Sequence, residues 1–155
     1  MVSLNSESLQ TSAQGFIRQW FDLQGRRRQD DRYDPAEGAM VTAGAHYTTE
    51  GSRFLLKLDI DAFAENMTFN AGLLVGYSYE TTIDVEHEEA LTFMQSHLGP
   101  LAFAIINEEL SELGRKFAAP FPRLSPQHQL DFWLEQRELT QDEMTLNVEG
   151  SPDNG

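Results

Sequence analysis

Apolar and polar residues alternate over three stretches of the chain. Val41, Ala43, Ala45 and Tyr47 are separated by Thr42, Gly44 and His46, and side chains that alternate with period two line opposite faces of a half-buried strand. Phe54, Leu56, Leu58, Ile60 and Ala62 repeat the pattern against Leu55, Lys57, Asp59 and Asp61, and Phe69, Ala71, Leu73, Val75, Tyr77 and Tyr79 repeat it again. The turns Glu50-Gly51-Ser52 and Ala64-Glu65-Asn66 separate the three. Connections this short join antiparallel neighbours, because parallel pairing needs a longer crossover. An earlier cluster, Phe16, Ile17, Trp20, Phe21 and Leu23, is too short for its period to separate strand from helical turn, but its aromatic and β-branched content favours a first strand. The polar stretch from Gly25 to Gly38 follows as a long connection. Its arginines, Arg26, Arg27, Arg28 and Arg32, are interleaved with Asp30 and Asp31, which reads as a solvated loop rather than an anion site.

After Tyr79 the period lengthens. Residues 86 to 126 carry two overlapping helical stripes: Leu91, Met94, Leu98, Leu101 and Ile105, then Phe103, Ile106, Leu110, Leu113 and Phe117. One buried face does not need so many apolar positions, so the pattern predicts a helix that packs on its own sheet and on a second subunit. Gly99-Pro100 should kink or restart it, since proline gives up an amide. Ala119-Pro120-Phe121-Pro122 closes the helix. Ser125 is then a natural N-cap with Pro126 in the first turn, and Leu130, Trp133 and Leu134 mark one side of a terminal helix with Phe132 on its flank. The polar, aperiodic residues 1–14 predict a flexible leader, residues 15–139 one folded domain, and residues 140–155 a disordered acidic tail.

Composition narrows the chemistry. With no cysteine, neither disulfides nor thiolate catalysis can carry the function. No apolar run reaches the length of a membrane span, and the polar N-terminus does not resemble a signal sequence, so a cytoplasmic protein with no membrane partner is expected. A net charge of −14 repels phosphate backbones and argues against nucleic acid; it suits a basic partner, such as a cationic unfolded chain. His46, His87, His97 and His128 form no pair at metal-ligand spacing, and Glu86-His87-Glu88-Glu89 reads as an acidic helix start. Asp59 and Asp61 share a strand face beside Lys57, which fits an exposed sheet surface better than paired acid-base work. Gly72 and Gly76 lie within a strand, so they are not a phosphate-cradling loop; close backbone approach or a bulge explains them better. Leu74 shares their face and hints that the outer sheet meets something. No nucleophile elbow or Ser-x-x-Lys pair occurs. No enzyme, metal or cofactor is expected.

The order of these elements, together with Leu98-Gly99-Pro100-Leu101-Ala102-Phe103-Ala104-Ile105, Leu113-Gly114-Arg115 and the crossing from Phe117 to Pro126, resembles the SecB family of export chaperones. Phe121 interrupts the family's usual proline pair, and Gln129-Leu130-Asp131-Phe132-Trp133 stands where the family has Asn-Phe-Asp-Ala-Leu or a variant. The resemblance implies an α+β fold: a four-stranded antiparallel Greek-key sheet with a long broken helix and a C-terminal amphipathic helix on one side. It implies an ATP-independent holdase for unfolded polypeptides, among them preproteins for export. It also implies a dimer of dimers built through edge strands and the long helix, for which Leu91, Met94, Leu98, Leu101 and Ile105 are candidates. Trp20, Phe21, Tyr33, Phe121, Phe132 and Trp133 are its candidate client-groove residues, and aromatics suit promiscuous binding because they bury large area with few torsions. Docking of the SecA translocation motor would fall to Asp59, Asp61 and Leu74 on the outer sheet face, although Gly72-Leu73-Leu74 stands where the family carries an acidic residue. A SecB-like chaperone dedicated to another client, such as an antitoxin, fits equally well. Two other classes stay open: a small α+β enzyme or ligand-binding domain with a pocket between sheet and helix, and an acidic decoy for a nucleic-acid-binding protein.

Overall fold

The alternating stretches and the aromatic cluster before them form one sheet. A computed structural model describes residues 1–27, 40–64, 67–117, 121–122 and 125–138. In chain order its elements are strand β1 (Val2–Ser3), helix α1 (Ser6–Thr11), strands β2 (Gly15–Arg27), β3 (Met40–Glu50), β4 (Arg53–Ala64), β5 (Met67–Ser78) and β6 (Ile83–Asp84), helix α2 (His87–Phe93), a π-helical turn (Met94–Leu98), and helices α3 (Gly99–Lys116) and α4 (Pro126–Glu138). The four-stranded sheet runs β2-β5-β4-β3, all antiparallel. Hairpins join β3 to β4 to β5, and β2, reached through the long connection, lies beside β5, which is Greek-key order. The expected tail, 140–155, and the connection holding Tyr33 lie outside the described residues.

One pleat face of the sheet is the core. Leu56, Leu58, Ile60 and Ala62 of β4 and Phe69, Ala71, Leu73 and Val75 of β5 are all buried on it. The other face carries Lys57, Asp59 and Asp61 of β4 beside Leu74, Gly72 and Asn70 of β5. A Cβ on Gly76 would run into the carbonyl oxygen of Phe54 on the neighbouring strand, so the close approach expected of this glycine is real.

The long helix crosses the core face diagonally. His87 stacks on Tyr47 of β3, Phe93 meets Phe54 of β4 and Tyr77 of β5, and Leu113 reaches Gly25 of β2. Acidic Glu88 and Glu89 occupy its first turn, where the helix dipole favours them, and Arg115 and Lys116 its last. The expected break at Gly99-Pro100 takes the form of a wider turn rather than an interruption. Gly99 N–H donates five residues back to the Met94 carbonyl, and that extra residue makes room for a proline ring that would strike the carbonyl four residues back in a regular α-helix. Among the described residues no helix is long and apolar enough to cross a membrane.

The expected leader is part of the fold. β1 pairs in parallel with β6, Val2 opposite Ile83. Asn5 and Ser8 cap α1 reciprocally: each backbone N–H donates to the other's side chain at 2.8 Å. Leu9 is then fully buried, and the Tyr79 hydroxyl donates to its carbonyl at 2.5 Å. The polar residues that suggested solvation serve instead as caps, and one leucine supplies the anchor.

Candidate functional site

α4 starts as its sequence predicts: the Ser125 hydroxyl accepts the His128 N–H at 3.2 Å, with Pro126 in the first turn. It docks on the long helix through Trp133. The Cε2–Cζ2 edge of the indole rests against Gly99, where any Cβ would collide with it, and Phe103 meets both Phe132 and Trp133 edge to face, at 5.8 and 6.3 Å. Between α4 and the polar side of the long helix lies a cleft of about 570 Å³, lined by Thr92, Gln95, Ser96, Pro100, Pro126, Gln129, Leu130 and Trp133. Among the described residues no charged side chain lines it, although the chain carries a net charge of −14. Proline, leucine and tryptophan offer apolar contact, while amides and hydroxyls offer hydrogen bonds to a main chain. Trp133 is 3% exposed, and its Nε1 has no hydrogen-bond partner among the described residues.

The aromatic set expected to line one groove is split. Phe132 and Trp133 stand together at the seam between α4 and α3. Phe121 is buried edge to face against Phe69, which makes it core. Trp20 is half-buried opposite Leu73 on the helix-covered face. Phe21 belongs to no groove with these. Trp20 pairs with Leu73 and Asp22 with Gly72, so Phe21 is the extra residue of a β-bulge, turned onto the outer face, 55% exposed, with the Lys57 ammonium 5.1 Å from its ring. Thr92, Gln95, Ser96 and Gln129 are the cleft residues that sequence reasoning missed, because polar positions on a helix leave no periodic signal. Leu130 and Leu134, expected on one side with Trp133, are 41% and 46% exposed.

The assembly set changes as well. Leu91, Met94 and Leu98 are 3%, 0% and 0% exposed within the single chain, so they belong to its own core and none is open to a second copy. Only Leu101 and Ile105 of that set are partly open.

Two histidines brace the helix against the sheet. The Tyr47 hydroxyl lies 2.8 Å from His87 Nδ1, and the Tyr77 hydroxyl 2.6 Å from His97 Nε2. Burial holds the His97 imidazole below its ordinary pKa and pushes the Tyr47 and Tyr77 phenols up. A neutral His97 with its proton on Nδ1 accepts a hydrogen bond from the Tyr77 hydroxyl at Nε2. On the outer face burial, then Lys57, lowers His46, with Asp59 pulling the other way. Asn70 donates to Asp61 at 2.5 Å, and Lys57 lies between Leu74 and His46 in the cross-strand row next to that of Asp59. Asp59, Asp61 and Leu74 thus share the outer face as expected, with a cation and Phe21 among them. Among the described residues no group of three or more His, Asp or Glu is placed to hold a metal ion.

No protein-family model matches the chain, and no curated protein does. Among solved structures, the chain is similar to the Mycobacterium tuberculosis SecB-like chaperone Rv1957, solved in complex with a ChAD peptide from the Rv1956 HigA1 antitoxin. The TM-score is 0.56 at 15% identity, covering 77% of this chain and 94% of that one. The fold is SecB-like. The SecB resemblance read from residues 98–126 therefore holds at the level of architecture, and at this identity the likeness speaks for the fold alone.

Proposed function

We propose that the chain is an ATP-independent holdase that binds unfolded polypeptide in the cleft between α4 and the long helix. The cleft carries this reading: it is open, no charged side chain lines it among the described residues, and it mixes apolar walls with hydrogen-bonding groups on a strongly acidic molecule. That combination accepts extended chains of varied sequence and draws basic ones by charge. The SecB-like architecture supports it, and so does the peptide in the Rv1957 complex. The same complex gives a dedicated client, such as an antitoxin, specific support. For a role in preprotein export, SecA would dock on the outer face at Asp59, Asp61 and Leu74. The working form is a cytoplasmic homo-oligomer, a dimer of dimers, with Leu101 and Ile105 at its helix contact. Near-stoichiometric suppression of the aggregation of a chemically unfolded protein, without nucleotide, is the expected result. A chain that leaves aggregation unchanged and fails to bind the unfolded protein overturns the proposal.

A further inference from the structure

We infer that the indole N–H of Trp133 is a main-chain contact for the polypeptide held in the cleft, donating to one backbone carbonyl of the client; this rests on the holdase reading. Trp133 is 3% exposed and lines the cleft, yet its Nε1 has no partner among the described residues. Buried polar groups are nearly always hydrogen-bonded, so a donor left without an acceptor in a binding cleft calls for one. Packing does not account for the nitrogen. The ring meets Phe103 and Phe132 edge to face and sets its Cε2–Cζ2 edge on Gly99, and none of these contacts uses the nitrogen. Relative to a phenyl ring the indole adds the fused-ring edge that sits on Gly99 and one donor, and it is the donor that is left without a partner among the described residues.

The chemistry of the cleft names the acceptor. Among the described residues no charged side chain lines it to attract a client carboxylate, whereas every residue of an extended chain presents a backbone carbonyl. A donor to that carbonyl binds chains of unrelated sequence at one fixed point, while Pro100, Pro126 and Leu130 take whichever apolar side chain comes beside it. In the closed seam the N–H is covered, its ring edge lying on Gly99. Client binding must therefore shift α4 far enough to uncover this buried nitrogen to a client carbonyl.

The test uses the full chain with a fluorescently labelled, permanently unfolded polypeptide. In a Trp20→Phe background the single remaining indole proton is followed by NMR. It should shift downfield and become protected from exchange when client is added, and Trp133→Phe should weaken client binding about tenfold, or about 1.4 kcal/mol. Thermal unfolding of Trp133→Phe, together with the indole signal of the chain that retains Trp133, separates a lost contact from a lost fold. Client binding that leaves the indole proton unmoved, or unchanged affinity in a folded Trp133→Phe, overturns the inference and leaves the holdase reading standing. A wild-type chain that binds no polypeptide overturns both.

Discussion

His97 couples the fold to pH. Burial lowers its pKa, so the folded state resists a proton that the unfolded state takes up near the ordinary histidine value of about 6.5. The stability it contributes is complete above that value and is lost as pH falls through the lower, folded pKa. Urea unfolding between pH 8 and pH 5 should show wild type losing stability more steeply than His97→Gln; parallel curves would contradict this. Gly76 makes a different kind of prediction. A methyl group there meets the Phe54 carbonyl on a paired strand, and Gly76→Ala should lower stability by about 3 kcal/mol, read from the denaturation midpoint. That glycine's role was legible, since a glycine inside an alternating strand implies close approach. The histidines were not: each phenol partner lies far away in sequence, and nothing local pairs His87 with Tyr47 or His97 with Tyr77.

At the scale of elements, the strands were the readable part because half-buried strands write their burial into every second residue. The register then follows, and with it the division between Leu56, Leu58 and Ile60 on one face and Lys57, Asp59 and Asp61 on the other. The long helix was readable as a helix but misread in its contacts. A helix lying diagonally across a sheet buries a wide arc, so Leu91, Met94 and Leu98, which suggested a second subunit, are used up within the chain. The N-terminal segment left even less to read, since a single buried leucine has no period. Leu9→Ala tests it: removing a fully buried leucine from a docked helix should cost about 2–5 kcal/mol in chemical unfolding, whereas an undocked leader would show no change. α4 was legible at its start, through Ser125 and Pro126. Its partner surface was hidden in Gly99, whose missing side chain is the seat for Trp133.

For the whole molecule, the sheet holds the long helix, the long helix seats α4, and the space left between the two helices is the proposed client site. The cleft sits on the helical layer, and the outer sheet face, with Phe21, Lys57 and Asp59, lies across the sheet from it. On the proposed reading, a client in the cleft would leave that outer face open to a partner. Leu101→Asp with Ile105→Asp should lower the solution mass measured by light scattering while leaving the monomer folded, because both positions are only partly buried. The central claim concerns the cleft, and Leu130 probes it directly: it lines the cleft while 41% exposed, so the fold tolerates a charge there. The deciding measurement is the fluorescence anisotropy of a labelled unfolded polypeptide titrated, without nucleotide, with wild type and with Leu130→Asp. Saturable binding by wild type, weakened at least tenfold by the aspartate, is the predicted result; no binding by wild type, or equal binding by both, would contradict it.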